Sequence, residues 1–361
     1  ANYALEHGTE ALSMCVRKAV NEMLGSLAED AGIRREDVFQ VCVVGNTCMH
    51  HLFLGISPAS LVHAPYTPAV SERLVLNAGD YGLAVQERAE LIMLSDIAGY
   101  VGADTCGCLL AIRQDQQEEI SLMIDIGTNG EMVLGNRERM VTCSTAAGPA
   151  FEGAKIECGM RGAAGAVDHV KYEEGKWNYT TVGNKPAVGL CGSGLIDLVA
   201  GLLDAGMLDE NGVLRSGQEK QGVFILVLPE RGGNERGVYL TQKDLGEVQL
   251  AKAAIAAGIQ MLMERLGITE DDICSVYIAG AFGNYMDPVS AGKIGLFPAT
   301  LVKKVKPVGN AAGEGAKIAL VNEKEMLEMD ELVRKIEFVE LAASADFQDH
   351  FIDELGFETG E

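Results

Sequence analysis

The sequence predicts an α/β protein made of two related halves, and three observations carry that prediction. The 43 glycines in 361 residues sit at the junctions of short apolar runs, where strand-to-helix turns need them, and not in low-complexity linkers. Residues 32–45 (GIRREDVFQVCVVG) and 267–280 (GITEDDICSVYIAG) align without a gap at an offset of 235, apolar and acidic positions in step. Each copy follows an amphipathic stretch of helical period and ends in a buried strand that turns at Gly45 or Gly280.

The elements follow in order. A helix over roughly Thr9–Glu29 leads into the first strand, and Asn46 and Thr47 open the next helix, either as a cap or as a contact to a substrate phosphate. SDIAGYVGADTCGCLLAI (95–112) is a small-residue helix that lets a neighbour approach closely. ISLMIDIG (120–127), EMVLGN (131–136) and RERMVTCSTA (137–146) read as a three-strand meander, its first member apolar throughout as a central strand should be. Gly192-Ser193-Gly194 precedes a helix from about Leu195 to Ala205, with Ser193 as its cap or the free N–H groups there as an anion site. The second half repeats helix (Glu247–Leu266), strand and glycine turn, then a second small-residue helix, VGNAAGEGAKIALVN (308–322). From Asn322 onward 13 acids face 3 bases, so the alternating Lys335–Leu341 stretch and the final amphipathic helix present an acidic face. The expected division is 1–115, a partial first subdomain; 116–330, a second one; and 331–361, a strand and helix packed on it. The first half has no counterpart of the three-strand meander. With Ala1 and not Met at the start, the chain is expected to be a fragment whose missing strands lie upstream.

Twenty-nine Lys and Arg against 52 Asp and Glu leave a formal charge of −23. Such a surface repels phosphate backbones and anionic lipids, which argues against nucleic acid and membrane partners. The nine cysteines are odd in number and contain no Cys-x-x-Cys pair. Neither a disulfide framework nor a zinc or iron–sulfur spacing is visible, and a cytoplasmic setting is expected.

The chemistry concentrates in Asp125-Ile126-Gly127-Thr128-Asn129-Gly130-Glu131, a carboxylate ending a buried strand before a turn with two glycines. Gly127 and Gly130 let backbone N–H groups approach a phosphate, Thr128 and Asn129 add donors, and Asp125 would hold a water of a nucleotide-bound Mg²⁺. The plain alternative is a β-hairpin. Lys155 and Arg161, in a glycine-rich stretch, are either phosphate neutralisers or solvated surface charges. Adjacent His50 and His51 point about 100° apart on a helix, which suits packing better than a shared metal. Cys106 and Cys108 read as small apolar residues.

Taken in order, Gly99–Ala111, Asp125–Glu131, Ile278–Gly283 and Gly309–Ala319 resemble the connect 1, phosphate 2, adenosine and connect 2 motifs of the actin, sugar kinase and heat-shock chaperone ATPase superfamily. That resemblance implies an actin-like ATPase fold: two RNase H-like subdomains around a nucleotide cleft, the first lacking its N-terminal strands and the phosphate 1 motif. It further implies ATP contacts at Gly280, Ala281, Gly283, Asn284, Gly309 and Gly99, with the two small-residue helices as the hinge. VVGNTCMHHLFLGISP (43–58), TAAGPAFEGA (145–154), GLCGSGLIDL (189–198) and LTQKDLGEVQLAKAAI (240–255) are similar to the reductive activators of corrinoid enzymes. Those implied functions are the return of a Co(II) corrinoid protein of a methyltransferase system to Co(I) with ATP, and an electron from a two-iron, two-sulfur cluster expected only in the missing N-terminal region. A homodimer is the implied assembly, and the fragment alone is expected to be inactive. The rival readings are a small-molecule kinase of the same fold, a nucleotide-dependent partner-binding module, and an acyl-CoA dehydratase activator using Cys143 or Cys158 for a cluster.

Overall fold

The computed structural model describes all residues except 216–221, 230–232, 234–235, 281, 343 and 358–361. A short helix α1 (Asn2–His7) leads into α2 (Glu10–Ala31), which stops at Gly32 because a left-handed residue (φ 66°) turns the chain there. Strand β1 (Gln40–Val43) is followed by α3 (Thr47–Leu54), whose start is fixed by Asn46 accepting the Met49 N–H at 2.9 Å. Strands β2 (Leu74–Asn77) and β3 (Glu90–Met93) and helix α4 (Ala103–Ile112) come next. The expected meander is β4 (Ile120–Ile126), β5 (Gly130–Gly135) and β6 (Met140–Thr145). A second ladder, β7 (Ala166–Glu173), β8 (Lys176–Thr181) and β9 (Gly189–Leu190), feeds helix α5 (Gly192–Asp204). Hairpin β10 (Val223–Val227) and β11 (Val238–Thr241) precedes α6 (Gln242–Leu266). That helix opens in a capping box, Thr241 Oγ1 accepting the Asp244 N–H and the Asp244 carboxylate accepting the Thr241 N–H. The remainder is β12 (Ile273–Ala279), α7 (Pro288–Lys293), β13 (Val305–Gly309), α8 (Ala311–Val321), α9 (Glu323–Val333), β14 (Glu337–Phe338) and α10 (Ala345–Asp353).

Two compact units result. Unit 1 holds residues 1–118, 136–140 and 310–338, and unit 2 holds 119–135, 141–309 and 339–361. This differs from the division drawn from the sequence, because residues 310–338 pack with the first 118 and not with 116–330. The cause is the pair of small-residue helices. A Cβ on Gly315 of α8 would overlap the Gly107 carbonyl of α4, and one on Gly107 would come within 2.6 Å of the Ala312 carbonyl oxygen. Only glycine at both places allows the two backbones to touch.

In unit 1 the sheet order is β1-β3-β2, with β1 parallel and β2 antiparallel to β3. Phe53, Leu83, Leu91 and Met93 fill its core. In unit 2 the sheet runs β13-β12-β4-β5-β6. Strand β4 lies between parallel β12 and antiparallel β5. Leu122, Met123 and Ile124 are accordingly 0% exposed, which is what an unbroken apolar run predicts for a central strand. Helix α5 buries Leu195, Ile196, Leu198, Val199 and Leu202, each contributing about 1.5–3 kcal/mol relative to exposure. Among the described residues no helix is long and apolar enough to cross a membrane.

Candidate functional site

Strand β4 ends by delivering Asp125 beside Ala279 of β12 on one side and opposite Glu131 of β5 on the other. Directly opposed residues of an antiparallel pair share a face, so Asp125 and Glu131 project from the same side of the sheet. Glu131 is buried, and the Ser144 hydroxyl donates to it at 3.3 Å. Like charges in that position repel unless a proton, donors or a cation compensates. Two carboxylates are too few for an all-protein cage but suit Mg²⁺, which keeps several waters and takes further oxygens from phosphates. No group of three or more His, Cys, Asp or Glu side chains able to hold a metal ion assembles among the described residues.

The turn Gly127-Thr128-Asn129 closes the hairpin. The Gly127 N–H donates to the Asn129 carbonyl at 2.9 Å, and the Thr128 hydroxyl donates to Glu152 at 3.2 Å. Two of the donors read from the sequence as phosphate contacts are thus engaged within the protein. Gly130 is glycine for packing, since a Cβ there would come 2.9 Å from Thr145 Oγ1 and 3.1 Å from Ile255. The structure brings the second segment to the same place. Gly280 (φ 88°) donates to the Gly309 carbonyl at 2.9 Å, and a Cβ on it would stand 3.0 Å from Asp125 Oδ1. Gly283 is required because a side chain would strike Ile278, and Asn284 sits against Gly309. Ala281 lies outside the described residues. Gly99 belongs to unit 1, where a Cβ would overlap the Tyr66 carbonyl.

A cavity of about 520 Å³ adjoins both segments inside unit 2, lined by Ile126, Phe151, Arg161, Asp168, Ser193 and Tyr285 among others. Ile126 comes from the strand before the turn and Tyr285 from the segment after Gly280. Apolar walls with a few convergent polar groups are the usual make-up of a small-molecule site. Arg161 therefore lines a cavity, whereas Lys155 pairs with Glu247 at 2.9 Å. Helix α5 begins at Gly192, earlier than expected, and the expected Ser193 cap is not made. Ser193 lies within the first turn and its hydroxyl donates to the Asp168 carbonyl at 2.8 Å. Asp168 and Tyr285 gave no sequence signal, because an isolated strand carboxylate and a loop tyrosine look like any others. Their place in the cavity is a tertiary fact.

In unit 1 the bland readings hold. His51 accepts the Ala69 N–H at Nε2 (2.9 Å) and donates from Nδ1 to the Thr47 carbonyl (2.7 Å), while buried His50 meets Asp96 at 3.2 Å through Nδ1. The other Asp96 oxygen accepts the Ala103 N–H at 2.9 Å, so this carboxylate caps α4 from a distance. Cys106 and Cys108 are fully buried. Burial also pushes the Cys143 thiol well above its ordinary range, which unsuits it for a cluster shared between subunits. Cys158 is half-buried and its Sγ lies against the Gly237 carbonyl.

The families of known proteins divide the chain once, between residues 117 and 119, whereas in the fold residues 310–338 join the first 118. Residues 119–361 match the family described as the C-terminal domain of RACo, the ASKHA domain, and residues 1–117 match the RACo middle region. The chain is 34% identical over 352 residues to the corrinoid activation enzyme RamQ of Eubacterium limosum, covering 93% of this chain and 59% of that protein. It is 29% identical over 303 residues to the [Co(II) methylated amine-specific corrinoid protein] reductase of Methanosarcina barkeri, covering 77% and 54%. A solved structure, a reductive activator for corrinoid, iron-sulfur protein, matches with a TM-score of 0.88 at 37% identity, over 97% of this chain and 57% of that one. The chain spans a little over half the length of each of these relatives.

Proposed function

The chain belongs to the family of the C-terminal ASKHA domain of RACo and has its actin-like ATPase fold, and on that premise we propose that it is the ATP-binding and ATP-hydrolysing module of a reductive activator of corrinoid proteins. The observation that carries the reading is the meeting of Asp125 with Gly280, which joins a strand-end carboxylate to a glycine turn beside a cavity. Asp125, with Glu131 opposite, would hold the waters of a nucleotide-bound Mg²⁺. The ion would neutralise phosphate charge and orient the reacting group. The segment Gly280–Asn284 and the cavity beside it would take the nucleoside. Bound water and protons are then governed by carboxylates fixed on a sheet, which holds geometry better than a loop would.

In this reading the ATP-driven step makes a Co(II) corrinoid protein of a methyltransferase system reducible to Co(I). The electron would come from a two-iron, two-sulfur cluster held outside this chain. The cysteines support that placement, since among the described residues no three His, Cys, Asp or Glu side chains assemble into a group able to hold a metal. A cytoplasmic homodimer belongs to the same proposal. Support comes from the names of the relatives, all of which concern corrinoid activation or reduction. The test is to follow the cobalt spectrum of a candidate corrinoid protein with Mg-ATP and a low-potential reductant. The chain alone should give no Co(I), and a longer polypeptide that includes the cluster domain should give it in proportion to ATP. Co(I) formed by the chain alone, or formed by the longer polypeptide without ATP, would overturn the reading.

A further inference from the structure

The ladder of β7 and β8 is irregular at one place. Val167 pairs with Thr181 and His169 with Thr180, so Asp168 is an extra residue with no partner of its own across the ladder. A bulge of this kind interrupts the alternation of side chains and re-aims the residue it adds. His169, next in the chain, meets Asp197 of α5 at 3.1 Å, while Asp168 lines the cavity of about 520 Å³ in unit 2. The backbone is fixed here from two sides. The Asp168 carbonyl accepts the Ser193 hydroxyl at 2.8 Å, and a Cβ on Gly194 would overlap the Val167 carbonyl. The carboxylate is held as well, since Thr180 donates its hydroxyl to Oδ1 at 2.6 Å. The second oxygen, Oδ2, has no hydrogen-bond partner among the described residues.

A carboxylate accepts hydrogen bonds and donates none, so Oδ2 suits a ligand group rich in donors and disfavours a phosphate. Arg161, on the same cavity, is the reverse: it has donors only and suits a phosphate oxygen or a ring nitrogen. Glu152, the other carboxylate of the lining, already accepts the Thr128 hydroxyl at the turn between β4 and β5. We propose that Asp168 reads the sugar of the nucleotide, its free oxygen accepting the ribose hydroxyls. The inference rests on the nucleoside lying in this cavity, as proposed for the function. Two neighbouring hydroxyls match one oxygen with two lone pairs, and an acidic residue serves the ribose 2′-hydroxyl in the same way in dinucleotide-binding folds. The bulge, Thr180 and Ser193 set the carboxylate in place before the ligand arrives, so little ordering remains to be done on binding.

Calorimetric titration with Mg-ATP, Mg-2′-deoxy-ATP and Mg-ITP tests the proposal, on this chain and on the longer polypeptide that includes the cluster domain. The deoxy nucleotide should bind about 10-fold more weakly than ATP, the size of one lost hydrogen bond to a charged group. Asp168→Ala should remove that discrimination. Thr180→Val, at an exposed position, leaves the carboxylate present but no longer held; it should reduce the discrimination without changing the melting temperature, and it carries the test if Asp168→Ala does not fold. Equal binding of ATP and deoxy-ATP by the parent would overturn the proposal, as would discrimination that survives Asp168→Ala. A third contrary result is ITP, which keeps both hydroxyls but lacks the adenine amine, binding more weakly than ATP in the parent and equally in Asp168→Ala, which assigns the carboxylate to the base. Failure of both polypeptides to bind any of the three nucleotides overturns the nucleotide site itself, and so is told apart from an error about the sugar.

Discussion

Replacing Gly315 by alanine sets two effects of similar size against each other. Alanine is favoured over glycine inside a helix by about 0.8–1 kcal/mol, so on propensity alone α8 gains. Against this, the new methyl would overlap the Gly107 carbonyl, and the nearest atoms are all backbone of α4. A side chain in the way could rotate aside; a helix backbone must move as a body, at an overpacking cost of about 1–3 kcal/mol or more. Because the methyl would overlap three backbone atoms of Gly107 at once, the upper end of that range applies, and the expected net is a loss of about 2 kcal/mol once the propensity gain is subtracted. Gly246, in α6, provides the comparison, because a Cβ there meets nothing within 4 Å. Gly246→Ala should therefore stabilise by about 0.5–1 kcal/mol. Differential scanning calorimetry reads both, with about 2–4 °C of melting temperature per kcal/mol for domains of this size. If Gly315→Ala melts at or above the parent, the close approach of α4 and α8 is not what glycine at these positions serves.

Further substitutions address the site and its supports. Asp125→Asn should weaken Mg-nucleotide binding by about 10–100-fold, the usual cost of losing an outer-shell metal partner, with little change in melting temperature; calorimetric titration showing unchanged affinity would remove Asp125 from the site. Asp96→Ala removes the distant cap of α4 together with the partner of His50, and chemical denaturation should show a loss of about 3 kcal/mol, from a cap plus a hydrogen bond to a charged group. Burial pushes the Cys42 thiol from 9.0 up to about 11. The protonated form is thus favoured in the fold, so its contribution is fully present below pH 9 and is lost as pH rises towards 11. A pH series of unfolding curves should show that alkaline loss, and it should shrink in Cys42→Ala. In native-state alkylation exposed Cys15 and Cys274 should react first, with buried Cys106 and Cys143 silent until unfolding.

Regular elements were readable wherever the signal was local. The apolar run 120–127 and the repeat strand ending before Gly280 became buried strands, because each pattern reports burial of its own segment. The strand before Gly45 is only partly buried, and of the small-residue stretch 95–112 only Ala103–Ile112 is helical. Asp125 and Gly280 were both singled out, yet their meeting depends on β4 and β12 being neighbours in one sheet. Misreadings arose where a residue type allows two local uses. Ser193 follows glycine before a helix and looked like a cap, but the helix starts one residue before it and the hydroxyl is turned to the Asp168 carbonyl. The division of the chain was hardest to see. Nothing in 308–322 reveals that α8 packs on α4, since the small residues announce a close partner without naming it.

The contact between Gly107 and Gly315 also sets an order of events on the ribosome. Unit 2 takes most of its residues from one nearly continuous stretch, 141–309, and is completed by 339–361, whereas unit 1 needs 310–338 to join its first 118 residues. While the chain is being made, α4 leaves the tunnel long before α8 exists, and joining them requires closing a very long loop, which is slow. Nascent chains halted when residue 309 has just left the tunnel should therefore hold a protease-resistant body within 119–309 with α4 still open to cleavage. Resistance of α4 should arrive only when Val321 has left the tunnel, so a late portion of the message decides when the first portion of the protein becomes native.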